Sequence, residues 1–202
     1  MKLRKSLTVI LVLSGLLNLF AKDKNSNIYI DSVTKFQIVK SNNWFFSNFD
    51  DVLRSYENMK FKDDLYIENM KYGIKPMVII SKYKEPYIGI NSAIAVYKCE
   101  CVEIGKSDFD KMNEILKYGN SVVFDFQMIE NPKIKKICDL NAVYAKYSFK
   151  TDILHKKELI VINEIYIIKK EKYYIQIETQ ASEINVENDL QEINSILETV
   201  KI

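Results

Sequence analysis

The sequence predicts an α+β fold in which helices pack on a mostly antiparallel sheet. Three observations carry this. Strand-like segments come in runs, instead of alternating one for one with helices as a parallel sheet requires. Several segments alternate apolar and polar residues with a period of two, most cleanly Tyr173, Ile175 and Ile177 in YYIQIETQ. Others repeat at three- and four-residue spacing, as Leu190, Ile193, Leu197 and Val200 do in the last segment. An apolar fraction of 48% over 202 residues, with only three prolines and five glycines, supplies enough core for one domain, residues 28–202, to fold alone.

The elements follow in order. NIYIDSVTKFQIV predicts two short strands, with Ile28 and Ile30, then Phe36 and Ile38, on a period of two. Ser41, Asn42 and Asn43 stop that pattern. SNFDDVLRSYENMKFKDDLYIENMKYG predicts helix: Ser47 or Asn48 can cap it, Asp50 and Asp51 suit the positive first turn, Lys62-Asp63-Asp64 breaks it in two, and Gly73 ends it. PMVIISKYK and NSAIAVYKCECVEI read as strands around an EPYIG turn. Ser107 and Asp110 form a capping-box pattern ahead of Phe109, Met112, Leu116, Val123 and Phe126, whose spacing predicts one long helix. Gly119 weakens that helix by about 1 kcal/mol relative to alanine, so a kink is expected near YGNS, and Asn131-Pro132 should end it. Strands KIKKICD, NAVYAKYSFKT, ELIVINEIYIIKK and YYIQIETQ follow, with turns at DLN and around His155, and an amphipathic helix closes the chain.

The amino-terminal block MKLRKSLTVILVLSGLLNLFA has a basic start (Lys2, Arg4, Lys5), an uncharged run from Ser6 to Ala21, and a polar tract at 22–27 behind it. These are the marks of a secretory signal peptide over residues 1–21, with cleavage after Ala21 or retention as an anchor; the run is shorter than the roughly 20 apolar residues that span a bilayer. Export to the periplasm or the exterior is therefore expected. Without the three basic residues of this block the formal charge falls from +2 to −1 and one arginine remains, Arg54. Such a chain has neither the field nor the bidentate side chains for nucleic acid. The runs Lys133/Lys135/Lys136 and Lys169/Lys170/Lys172 read as solvated turns and edges. Cys99, Cys101 and Cys138 make an odd count. Cys99 and Cys101 share one face of a strand and cannot easily bridge each other. Either could pair with Cys138 if their strands are neighbours; buried thiols acting as small apolar side chains are the favoured alternative.

FQIVKSNNW and the closing segments DLNAVYAKYSF, ELIVINEIYIIKKEKYYIQIETQ and the last helix resemble the PsbP-like family, which includes photosystem II extrinsic proteins, a nuclear Ran-binding factor and bacterial DcrB-like envelope proteins. The family opens with an aromatic-led strand, a proline bend and a tryptophan eight residues after the aromatic, as Phe36 and Trp44 stand here. Ser41 replaces the bend proline, and Asn43 replaces the usual glycine, with asparagine's tolerance of left-handed geometry to keep the bend. The resemblance covers most of residues 28–202 and implies an α/β/α sandwich in which Phe36 and Trp44 are structural, Trp44 closing the core where strand leads into helix.

Catalytic sets are hard to assemble. His155, the sole histidine, sits in TDILHKKEL beside lysines that disfavour its protonation. Cys99-x-Cys101 with one histidine does not complete a zinc set. Asp50/Asp51 and Asp63/Asp64 are adjacent pairs that point apart at helix starts, unlike the facing carboxylates of a glycosidase. No cofactor or metal is implied. The expected function is that of a non-enzymatic exported domain that binds a partner protein or assists assembly in the envelope, with a carrier of a small apolar ligand in a sheet-helix cleft as the alternative. An enzyme depending on His155 or Cys138 ranks third.

Overall fold

The computed structural model describes residues 26–57, 59–100, 107–153 and 157–202. The export segment expected at 1–21, most of the tract 22–27, Cys101 and His155 lie outside the described residues. A two-stranded hairpin, β1 (Ile28–Ile30) with β2 (Gln37–Val39), precedes β3 (Phe45–Phe46), α1 (Phe49–Tyr56) and α2 (Tyr66–Tyr72). Then come β4 (Val78–Ser81), β5 (Ala93–Glu100), α3 (Asp108–Val122), β6 (Phe124–Ile137), β7 (Leu140–Ile153), β8 (Lys157–Lys169), β9 (Tyr173–Ser182) and α4 (Val186–Leu197). Strands β3 to β9 form a seven-stranded sheet in the order β3-β4-β5-β9-β8-β7-β6, with every neighbouring pair antiparallel.

Helices cover both faces, which makes the α/β/α sandwich. On one face Ile94, Val96, Ile175, Ile177 and Tyr166 pack against Ile193, Ile196 and Leu197 of α4. The β1–β2 hairpin adds Phe36 and Ile38 to that core and is tied to the chain end, where Gln37 and Lys201 exchange backbone hydrogen bonds of 2.8 and 3.0 Å. On the other face Met112 and Leu116 of α3 pack on Val143, Ala145, Ile165 and Ile167. Local signals set the helix ends. Asn48 Oδ1 accepts from the Asp50 N–H at 3.0 Å to start α1, and Ser107 and Asp110 close a reciprocal capping box on α3.

Phe36 and Trp44 are fully buried in the α4-side core. The Trp44 N–H closes a turn onto the Ser41 carbonyl at 3.1 Å. That turn needs no left-handed residue: the described non-glycine residues with positive φ are Lys35, Asp125 and Cys138, so the tolerance expected of Asn43 is not used.

The long helix expected through Phe126 is corrected. Helix α3 stops at Val122, and β6 runs from Phe124 straight through Asn131-Pro132. Gly119 and Asn120 are weak helix formers, while the β-branched and aromatic residues from Val122 to Phe126 favour a strand. Pro132 is tolerated because β6 is the edge of the sheet and its register is irregular between Glu130 and Lys133. A Cβ at Gly119 would meet only the Phe126 ring, at an ordinary 3.6 Å. Gly119→Ala is therefore expected to stabilise the fold by about 0.5–1 kcal/mol, read as a rise in the urea midpoint with an unchanged slope. The turn expected at DLN falls one residue earlier, on Cys138-Asp139, with Cys138 at φ 51°.

Candidate functional site: a polar-floored aromatic cleft

The strand period places Tyr174, Gln176, Glu178 and Gln180 of β9 on the face away from Ile175 and Ile177. That face is not turned to solvent, because α1, α2 and α3 lie over it. Opposite Gln180 and Glu178 stand Ala93 and Ala95 of β5. Their short side chains leave a cavity of about 170 Å³ between sheet and helices. Phe49 and Tyr56 of α1, Tyr66 of α2, and Ile115 and Gly119 of α3 wall it. The segment after α1 closes one end: Lys60 N–H donates to Asp152 O at 3.1 Å, Lys62 N–H to Val122 O at 2.8 Å, and the Phe61 and Tyr66 rings lie 4.6 Å apart. A second compartment of about 420 Å³ shares Phe49, Tyr66, Tyr97 and Glu178 and extends past Lys111 and Glu114 to exposed Ile74 and Tyr118.

Polar groups gather on the sheet side of this cleft. Gln176 Nε2 donates to Glu178 Oε1 at 2.5 Å. The Tyr56 hydroxyl donates to Gln180 Oε1 at 3.1 Å, and Gln180 Nε2 donates to Asn91 O at 2.8 Å. Asn163 Nδ2 donates to the Tyr147 hydroxyl at 2.9 Å, while buried Asn163 Oδ1 has no partner among the described residues. Desolvation by burial raises the Glu178 pKa above the ordinary carboxylate range, and the Gln176 bond only partly opposes it. Burial also raises Tyr56, Tyr66, Tyr97 and Tyr147, and the Glu178 charge adds to each shift.

This gives a stability prediction. A carboxyl whose folded pKa is raised contributes least once the pH exceeds that value, because the unfolded chain ionises more easily. Glu178→Gln is expected to raise stability at pH 8 by on the order of 1–2 kcal/mol, a few degrees in Tm. The gain should shrink as the pH falls toward the ordinary glutamate value of about 4.3. Thermal melts of both proteins from pH 4.5 to 8 would show it.

The residues singled out from the sequence lie mostly elsewhere. Trp44 and Phe36 belong to the opposite face. Asp51 pairs with Arg54 at 2.7 Å, and Asp63 Oδ1 accepts from the Leu65 N–H at 2.9 Å ahead of α2, so both acidic pairs stay at helix starts. Lys135 lies 4.0 Å over the Tyr144 ring and Lys133 pairs with Glu130. Lys169 reaches Asp108 at 3.6 Å. Among the described residues no group of three or more His, Cys, Asp or Glu gathers as a metal site, and no helix is long and apolar enough to cross a membrane.

Cys99 and Cys138 are not joined: β9 and β8 stand between their strands in the sheet. Cys99 is buried beside the outer compartment, whereas Cys138 is exposed, contrary to the expectation of buried thiols throughout, and its Sγ lies 2.9 Å from Glu198 O. A short iodoacetamide pulse followed by peptide mapping is expected to label Cys138 well before Cys99; equal labelling would mean that β5 opens locally.

The polar floor itself went unread in the sequence. The signal was present in the alternate positions Gln176, Glu178 and Gln180, but such a pattern ordinarily marks a solvated face.

No protein-family model matches the chain, and no curated protein matches it significantly. Solved structures do resemble it. LpqN of Mycobacterium tuberculosis, described as involved in cell envelope biogenesis, matches with a TM-score of 0.50 and 12% identity, over 83% of this chain and 82% of that one. Cyanobacterial PsbP (CyanoP) from Synechocystis sp. PCC 6803 matches with a TM-score of 0.46 and 9% identity, over 87% of this chain and 91% of that one. The likeness to LpqN is one of fold, and the α+β sandwich is the architecture that the PsbP-like resemblance implied.

Proposed function

We propose that this chain is a non-enzymatic, exported protein of the cell envelope that carries a small, mainly apolar ligand in the cleft between its sheet and α1–α3. The observation that carries the reading is the cavity of about 170 Å³, walled by aromatic side chains and adjoining a larger compartment at the surface. Sites of this kind, largely apolar with a few convergent polar groups, are the usual form of small-molecule pockets. The export-type segment expected at residues 1–21 and the envelope role printed for LpqN, which shares the fold, support the compartment. Native mass spectrometry of protein purified gently from envelope fractions is expected to show a bound species of a few hundred daltons, reduced when Ala95→Phe fills the cavity. An unliganded mass, with no retention of added apolar probes, would refute the carrier reading.

A second reading, binding of a partner protein during envelope assembly, is favoured by one surface. Ile28, Ile30 and Val33 of the β1–β2 hairpin are exposed by 41, 62 and 73%. Ile28→Lys/Ile30→Lys would abolish co-purification of such a partner and leave ligand retention intact.

A further inference from the structure

The carrier reading leaves open which chemistry the polar floor selects, and the following inference rests on that reading. Glu178 lies deep in the cleft, and its hydrogen bond comes from the neutral Gln176 amide. Among the described residues no lysine or arginine pairs with it. A half-buried carboxylate set among aromatic rings without a cation is costly to ionise. Asn163 Oδ1, in the same chamber, is a buried acceptor lacking a donor among the described residues. The amides nearby each have one N–H engaged, Gln176 with Glu178, Gln180 with Asn91, and Asn163 with Tyr147, and all of them are neutral. Among the described residues the chamber thus holds one buried acceptor lacking a donor and one acidic group with no cation beside it.

Its walls suit a positive guest. Tyr56, Tyr66, Tyr97 and Tyr147 are close enough for their hydroxyls to feel the Glu178 charge, and Phe49 stands at the junction of the two compartments with Glu178. Aromatic faces attract ammonium groups most strongly where water is excluded. A cavity of about 150 Å³ is known to admit benzene; the inner chamber, at about 170 Å³, has room for a ring or a short chain, and the outer compartment for more.

We propose that the cleft takes a protonated primary amine with a hydrocarbon body, its ammonium set between the Glu178 carboxylate and Asn163 Oδ1 and its chain laid along the aromatic walls. The guest supplies the cation that the chamber lacks and a donor for Asn163 Oδ1. A fatty acid would place a second carboxylate beside Glu178, and an alcohol would supply one donor and no charge.

Calorimetric titration of the purified protein with octylamine, 1-octanol and octanoate tests this without knowledge of the natural ligand. The wild-type protein is expected to bind octylamine at least tenfold tighter than 1-octanol, and octanoate least. In Glu178→Gln the amine should fall to within about threefold of the alcohol, whose own affinity stays unchanged. The titratable groups around Glu178 are the tyrosines of α1, α2, β5 and β7, with Tyr118 of α3, Tyr174 of β9 and Cys99 of β5, and Lys111 and Glu114 of α3 at the mouth paired to each other at 3.4 Å. With those phenols raised above their ordinary range, Glu178 is the inner carboxyl, its pKa raised by burial, and amine affinity should climb as the pH rises above the ordinary glutamate range and the carboxyl ionises. Equal binding of amine and alcohol by the wild type, a preference for octanoate, or an amine preference that survives in Glu178→Gln would overturn the amine inference and leave the carrier reading standing. Binding of none of the three would remove both. The wild-type comparison of the three probes needs no variant, so a misfolded Glu178→Gln would not spare the proposal.

Discussion

Lys82→Met is expected to destabilise the protein by about 3–5 kcal/mol at neutral pH, roughly 6–20 °C in Tm for a chain of this size. Lys82 follows β4 and reaches across to α4, with Nζ 2.7 Å from Asp189 Oδ1 and 3.0 Å from Glu192 Oε1. The lysine and Asp189 side chains are only 12 and 6% exposed, so water screens the cluster weakly. Ser92 Oγ donates to the other Asp189 oxygen, and Asn188 Nδ2 donates to Glu192 Oε1 at 2.9 Å. Methionine keeps the length of the side chain and removes the charge, leaving two acidic groups facing each other.

The pH dependence has a definite sign. Burial works against the Lys82 charge, but its hydrogen bonds to Asp189 and Glu192 outweigh that and raise its pKa. Its contribution is therefore present at neutral pH and is lost only as the pH climbs through the raised value. Burial likewise pushes Glu192 up, and hydrogen bonds from Trp44, Lys82 and Asn188 more than reverse it, so its carboxyl sits below the ordinary range. That contribution is present above the ordinary glutamate range and fades as acid reaches the depressed value. The deficit of Lys82→Met should consequently be largest near pH 7 and narrow toward pH 4. Urea titrations at both pH values measure it, and a pH-independent loss below about 1 kcal/mol would mean that the cluster is open to water.

Trp44→Ala is expected to remove a further 3–5 kcal/mol, while Trp44→Phe loses about 1–3 kcal/mol. The indole is fully buried among Ile80, Ile94 and Ile193, and its Nε1 donates to Glu192 Oε2 at 2.6 Å. Alanine empties that space and strands the carboxylate. Phenylalanine fills most of it and gives up the hydrogen bond alone. Because Trp44 and Lys82 both act on Glu192, the Trp44→Phe/Lys82→Met double variant should depart from the sum of the two single losses. Trp44 is the only tryptophan, so its fluorescence reports the unfolding of this core directly in Lys82→Met.

Much of this framework was legible before any coordinates. The Ser107/Asp110 capping box, the Asn48 cap, the break near Asp63 and the alternation in β9 are local patterns, and local hydrogen bonding realised them. Trp44 is buried where strand leads into helix, the place that the PsbP-like resemblance implied for it. Three things were not legible. The first half of β6 looked helical because Phe109, Met112, Leu116, Val123 and Phe126 happen to keep a helical spacing across the end of α3, and only tertiary pairing with β7 decides the matter. The placement of β5 beside β9 joins residues about 80 positions apart, which no short-range pattern encodes. The cleft was hidden for a related reason: a period of two tells which side chains share a face, and is silent on whether water or helices lie over it. Nothing in the alternation of β9 singles out Glu178, whose surroundings are set by α1–α3.

The central place of β9, fourth of seven strands, has an evolutionary consequence. It is laced to a neighbour along both margins, so the bottom of the cleft behaves as a fixed anvil with little freedom to adapt. The overhead helices are held largely by side-chain packing, with few backbone bonds such as Lys62 to Val122, and can drift, tilt or enlarge as sequences diverge. Selectivity for the guest's tail should then vary readily through α1 to α3, while the anchoring chemistry at the base changes only by outright replacement of Glu178.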